Sequence, residues 1–199
     1  MRKLFLLLIA SIAPSAFGQF QVTANAIRAH IDTGSSDGHT AWGYEVEAGY
    51  AFGAKQQHLV KLGYQRYGWD EFQQFELGSV GEAISSDLTT EALIASYEWR
   101  TSVFHPSVTL FVSPGLGMWR SGFDSDVRGW GGFAGSYTAH YSDSGDWKLA
   151  AQCVGGASWE FLPHCSVTCG VGYLHGWGNS GQADSVDIVR VSAGLGVRF

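Results

Sequence analysis

The chain has 199 residues, room for one domain with or without a removable leader. Apolar residues make up 45% of it and charged ones only 15%, below the roughly 25% of an average soluble protein, while glycine reaches 27 residues. Such a composition suits a thin wall with one wet and one greasy face, and a net charge of −6 excludes a nucleic-acid binder, whose phosphate-tracking surface needs clustered Lys and Arg.

Residues 1–18 read as a secretory signal. Arg2 and Lys3 make the start positive, Leu4 to Ile12 form an apolar core too short to span a bilayer, and Ala16 and Gly18 place small residues before a cleavage at Gln19. No cysteine follows the cut, which argues against a lipoprotein anchor. The exported domain is then residues 19–199, with ten basic residues against 18 acidic ones and a net charge of −8. No later apolar run approaches the ~18 residues of a transmembrane helix.

From there the chain alternates. Phe20, Val22, Ala24 and Ala26 begin an apolar face that loses phase at Arg28, which predicts a bulge or an early exit into solvent. In WGYEVEAGYAF, Trp42, Tyr44, Val46, Ala48, Tyr50 and Phe52 oppose Gly43, Glu45, Glu47, Gly49 and Ala51. HLVKLGYQRY sets Val60, Leu62 and Tyr64 against Lys61, Gly63, Gln65 and Tyr67. EALIASYEWR and SVTLFVSPGLGMW repeat the pattern, as do about 146–161 and 164–177. The last segment, VRVSAGLGVRF, puts Val189, Val191, Ala193, Leu195, Val197 and Phe199 on one side. A period of two over eight segments is the mark of β-strands.

The joints add topology. Those near Gly53–Gln56, Thr101–Pro106 and Leu162–His164 are short, whereas 32–41, 68–87, 120–145 and 178–185 are long and rich in Gly, Ser and Asp. Their strict alternation sends tight turns to one end and four mobile acidic loops to the other. Eight antiparallel strands close on themselves and so remove exposed edges. The expected fold is all-β: an eight-stranded antiparallel up-and-down transmembrane β-barrel.

The polar side carries Glu45, Glu47, Lys61, Glu98, Arg100, Arg190 and Arg198, which can pair inside a narrow lumen, while the continuous apolar set faces lipid. Two aromatic girdles follow: Trp42, Trp69, Trp119, Trp147 and Trp177 at the long-loop ends, and Phe20, Phe52, Trp99, Trp159, Phe161 and Phe199 at the tight-turn ends. At eight strands side chains nearly fill the interior, so a general porin is not expected.

Other patterns carry less chemistry. Cys165 and Cys169 lie ~13 Å apart along one strand, too far to bridge, and with Cys153 they are read as lipid-facing thiols. The seven histidines show no zinc spacing, the loop carboxylates form no calcium-loop motif, and no metal or cofactor is expected. Gly115, Gly117, Gly194 and Gly196 precede no helix and cradle no phosphate.

ALIASYEWR, SVTLFVSPGLGM after a short turn, and VSAGLGVRF together resemble the small eight-stranded outer-membrane barrels of the OmpA, OmpX and opacity-protein type, over the whole exported chain. The resemblance implies an outer-membrane location in a Gram-negative-type bacterium, contact with outer-membrane lipid and lipopolysaccharide, and a terminal Phe199 read by the membrane-insertion machinery. YLHGWGNSG, residues 173–181, loosely resembles the late strand of PagL-type lipid A deacylases, which implies a catalytic role for His175, but Trp177 stands where that family places a serine, with Ser180 beyond it. The expected function is structural or adhesion-like, with 120–145 (Trp130, Phe133, Tyr137, Tyr141) as the contact surface. An enzyme is not the first expectation. A lipid A acyl hydrolase and a narrow ion channel are the alternatives.

Overall fold

A computed structural model describes residues 18–33, 38–53, 56–77, 80–102, 105–131, 135–178 and 185–199. Nearly all of the leader, Phe133 and Ser180 lie outside them. The chain runs β1 (Gly18–Asp32), β2 (His39–Phe52), β3 (His58–Leu77), β4 (Val80–Ser102), β5 (Val108–Trp130), β6 (Tyr137–Ser144), β7 (Lys148–Leu162), β8 (Cys165–Trp177) and β9 (Ser185–Arg198).

Every pairing is antiparallel. Consecutive strands pair from β1 to β5, β5 then pairs with β7, and β7, β8 and β9 follow in order. β9 returns to β1 from Gln21↔Arg198 to Asp32↔Asp187 and closes a wall of eight strands. The Phe199 amide donates to the Phe20 carbonyl at 2.8 Å, and the two rings sit 6.5 Å apart, so the chain end is pinned to the start of β1. The ladder between β4 and β5 skips Tyr97 and Glu98, which face Pro114 and Ser113; a proline has no N–H to offer.

Two of the long joints differ from the expected mobile loops. β3 and β4 stay paired out to Leu77↔Val80, and β5 continues past the start of β7 to pair with β6 from Gly122↔Ser144 to Gly129↔Tyr137. Above the wall, β3, β4, β5 and β6 therefore form a four-stranded sheet. Its Gly, Ser and Asp content reads as loop in the sequence. Cross-strand partners such as Ser86 and Ser125, with hydroxyls 2.7 Å apart, hold it extended instead.

The first strand shows neither bulge nor early exit. Arg28 points outward as Ala26 does, and Ile27, Ala29 and Ile31 point inward, fully buried. What changes along β1 is the polarity of the two sides. Ile27 and Ile31 join Ala41, Tyr67, Ile94, Leu174 and Ile188 in an apolar plug that fills the upper lumen. Each large aliphatic there is worth roughly 1.5–3 kcal/mol relative to exposure to water.

The outer wall is the reverse of a soluble protein. Leu116 and Leu149 are each 68% exposed, with Leu62, Val171, Val191 and Leu195 also mostly bare. A continuous apolar band of this kind is stable against acyl chains.

Candidate functional site

The lower lumen is polar and tightly paired. Lys61 Nζ lies 2.8 Å from both Glu47 Oε1 and Glu98 Oε2, and Arg100 holds the other oxygen of Glu98 while donating to Gln21 at 2.9 Å. Higher up, Arg190 Nη2 meets Glu45 Oε1 at 3.0 Å, both side chains 2% exposed. Asn25 and Gln65 also donate to Glu45, at 2.9 and 2.8 Å, and Gln65 spans the lumen to Gln152 at 2.7 Å. Tyr67 caps the network by donating to Gln65.

These contacts depend on strand parity. Glu45 and Glu47 on β2, Lys61 and Gln65 on β3 and Arg190 on β9 fall on inward positions, so closure aims them at one another. Gly172 faces Arg190 across the ladder, and a Cβ there would sit 3.0 Å from its Nε. The cavity left among these side chains has a volume of about 30 Å³. Arg198 departs from the expected lumen set: it sits at the turn-side rim, 3.6 Å from Glu160.

The girdles need correction at the loop end. Trp69 and Trp119 are 8% and 2% exposed and point into the lumen mouth, not toward lipid. Trp119 lies over Gly176, where a Cβ would come within 2.3 Å of its Nε1, and it donates to the Trp177 carbonyl at 3.4 Å. Both residues have the parity of Lys61 and Ile94, and the apolar plug takes their rings. Trp42, Trp147 and Trp177 are exposed on the outer surface. At the turn end, Phe52, Trp99, Trp159, Phe161 and Phe199 are exposed, and Phe20 is half-buried.

On the emergent sheet, Phe72, Phe75, Leu77, Tyr137 and Tyr141 are all more than half exposed. Phe75, Leu77, Val80, Trp130 and Tyr137 line an open cup of about 580 Å³. His140 on β6 lies 3.0 Å from Asp126 and 3.3 Å from Asp124 on β5. The hydrogen bond that His140 donates to Asp126, then the charge of Asp124, push the His140 pKa upward.

The outer wall carries two polar clusters. On β8 and β9, His175 Nδ1 is 2.7 Å from Asp187, which also accepts from Tyr173, and the Trp177 ring stands edge-on to His175 with centroids 4.9 Å apart. On β3, β4 and β5, Glu91 lies between Arg66 and Arg120 in direct register. The three cysteines are free; Cys153, exposed, faces Tyr173 across the ladder, and Cys169, also exposed, faces Ala157. Among the described residues, no group of three His, Cys, Asp or Glu side chains could hold a metal ion.

No protein-family model matches the chain, and no curated protein matches it in sequence. Solved structures do. Neisserial surface protein A superposes with a TM-score of 0.64 at 19% identity, covering 90% of this chain and 97% of that one. Ail, the attachment invasion locus protein of Yersinia pestis, in complex with the heparin analogue sucrose octasulfate, gives 0.57 at 14% identity over 92% and 99%. A major outer membrane protein from Thermus thermophilus gives 0.51, also at 14% identity over 92% and 99%. The chain has the fold of the small eight-stranded outer-membrane barrels. This is the architecture of outer-membrane proteins of Gram-negative-type bacteria, an antiparallel wall of strands closed on itself.

Within that barrel, parity alone marks the charged lumen residues, but the neutral Asn25, Gln65 and Gln152 escape a search restricted to charge patterns. Glu45 and Arg190 are 145 residues apart, and only closure makes them partners. Removing either one leaves a buried charge without its counter-ion, so Glu45→Ala or Arg190→Ala costs about 3–5 kcal/mol, and Glu45→Leu/Arg190→Leu together cost less than either single change. Urea unfolding in detergent micelles, followed by heat-modifiable gel migration, measures both. The raised His140 pKa gives a second prediction. The imidazolium is favoured only in the folded β5–β6 hairpin, so its stabilisation is fully present below the ordinary value of 6.5 and is lost as pH rises through the raised folded value. Amide exchange at residues 137–144, corrected for intrinsic rate, is expected to be slower at pH 6 than at pH 8, a difference that His140→Gln removes.

Proposed function

We propose that this protein is an envelope barrel that uses its emergent sheet as a contact surface toward other proteins or cells, an adhesion-like role. One observation carries the reading: Phe72, Phe75, Leu77, Tyr137 and Tyr141 are exposed on a paired sheet above the lipid-facing wall. Aromatics displayed on ordered backbone suit recognition, because little entropy is lost when a partner covers them.

The similarity to Ail supports surface attachment in kind but not the same ligand. A sulfated polyanion such as the heparin analogue in that complex needs a basic face. Here Asp70, Glu71, Glu82, Asp87, Asp124 and Asp126 surround the sheet, against Arg128. The partner chemistry is therefore apolar with basic rims, as on many protein surfaces. In this reading residues 1–18 direct export and are removed, and Phe199 with its alternating strand is the signal taken by the insertion machinery. The four long connections then face the outside and the tight turns the periplasm.

A second reading rests on His175. An imidazole held at Nδ1 by a carboxylate is the arrangement of an oriented general base. Here it stands on the lipid-facing wall beside acyl chains, with Trp177 where the lipid A deacylases place a nucleophile. Ser185 lies opposite Trp177 in the β8–β9 register and on the outward side with Asp187, and would have to supply the hydroxyl.

Cells displaying the wild-type barrel are expected to adhere to protein-coated or cell-coated surfaces, and Phe72→Ala/Phe75→Ala/Tyr141→Ala to lower that adhesion by about tenfold or more, as loss of interface anchors does, with heat-modifiable migration unchanged. No gain in adhesion over cells lacking the barrel would defeat the first reading. Mass spectrometry of lipid A from the same cells tests the second: one acyl chain missing with wild type but present with His175→Ala supports it, and unchanged acylation removes it.

A further inference from the structure

We infer that Glu82 is the recognition centre of the emergent sheet and takes the ammonium of a lysine that a partner protein presents among apolar side chains. The inference rests on the contact-surface reading and names the chemistry that this surface selects. In register, Phe75 on β3 faces Glu82 on β4, Glu82 faces Gly129 on β5, and Gly129 faces Tyr137 on β6. The adjoining rows on the same side pair Leu77 with Val80 and Ile84 with Val127. Glu82 thus stands inside a ring of apolar and aromatic side chains.

Glu82 is half-buried, whereas Phe75, Leu77, Val80 and Tyr137 around it are exposed. Among the described residues, the lining of the cup holds two carboxylates, Glu76 and Glu82, and no cation. The basic residues of the sheet, Arg128 and His140, stand on its other side, in register with Ala83 and Asp126. A partner that covered the ring with hydrocarbon alone would strand the Glu82 charge out of water, which opposes binding. A cation at the centre of the partner's apolar patch removes that penalty. The positive charge therefore belongs in the middle of the partner surface as well as on its rim.

The choice between cations follows from the oxygens of Glu82. Tyr137 donates to Oε1 at 3.0 Å, and its ring lies over Gly129, where any Cβ would collide with it. The phenol is thereby held beside the carboxylate, and one oxygen is left for a partner. A guanidinium gains most by forking onto both oxygens of a carboxylate, whereas an ammonium is a point charge that one oxygen can satisfy. Lysine is favoured. Its hydrocarbon stem also matches the apolar ring around Glu82. The cup, at about 580 Å³, has room for apolar neighbours of that lysine to enter with it.

Titration of the full exported chain, folded in detergent micelles, with capped pentapeptides Gly-Leu-Xaa-Leu-Gly tests this. Xaa is Lys, Arg, Gln or Glu, and the readout is the backbone amide shifts of residues 80–84 and 137–139. Wild type is expected to bind the Lys peptide at least about fivefold more tightly than the Gln peptide, with Arg below Lys and Glu weakest. Glu82→Gln is expected to bring Lys and Gln to parity, and Tyr137→Phe, which frees both oxygens, to lift Arg to the level of Lys. Asp143→Asn, an equal change of charge on the same side of the sheet, leaves the preference intact. Equal binding of Lys and Gln by wild type overturns the inference, as does a Lys preference that survives Glu82→Gln. An Arg deficit that persists in Tyr137→Phe overturns the choice of lysine over arginine. Shifts of these amides that grow with protein concentration and need no peptide assign the cup to a second copy of this chain and overturn it too. Heat-modifiable migration of each variant separates loss of the site from loss of the fold. Cell adhesion scores the contact-surface reading separately. Adhesion lost in Phe72→Ala/Phe75→Ala/Tyr141→Ala but unchanged in Glu82→Gln keeps that reading and defeats this one, whereas Lys selection by a protein whose cells do not adhere does the reverse.

Discussion

In hydrocarbon there is no water to accept a stray N–H or C=O, so a strand can cross a bilayer only if both its edges are paired. The ladder between β1 and β9 meets that demand here, and the rest of the structure follows from it. Closure turns a sheet with two faces into a wall with an inside and an outside. It commits every second residue of each wall strand to the inside. It also explains the ordered chain end, where Phe199 bonds to the backbone of β1 instead of fraying.

Once the inside is closed, its chemistry is constrained by space and dielectric. The structure divides the lumen into a paired polar half and an apolar half. Glu45, Glu47 and Glu98 are matched by Arg190, Lys61 and Arg100, so no carboxylate there stands alone. Above them Tyr67, Ile94 and Trp119 exclude water. Outside the lumen stand the wall and the emergent sheet. The outward clusters at Arg66–Glu91–Arg120 and at His175–Asp187 lie on that outer surface. The aromatics of the sheet lie above it.

Much of this is legible in the sequence. The eight alternating segments, the apolar outward set and the charged inward set follow from a side-chain period of two, and tight turns alternating with long joints follow from an up-and-down sheet. The emergent sheet was not legible as structure. Its residues are rich in Gly, Ser and Asp and poor in aliphatics, because neither of its faces needs to meet lipid. Trp69 and Trp119 were misassigned for a related reason: position near a strand end suggests a girdle, while parity, which points them inward, decides the matter.

The sequence by itself determined which residues of the wall share a face and that eight strands build that wall, because alternation is a local property of an extended chain. It also determined that the last strand had to find a partner, since an alternating apolar edge is not stable alone. Only the tertiary structure decided which inward residues meet, since Glu45 and Arg190 approach across the lumen from strands at opposite ends of the chain. It alone decided that the upper lumen is apolar and that one carboxylate on the wall is shared by two arginines. Those outcomes depend on register and closure, which act between strands and leave no periodic trace within any one of them.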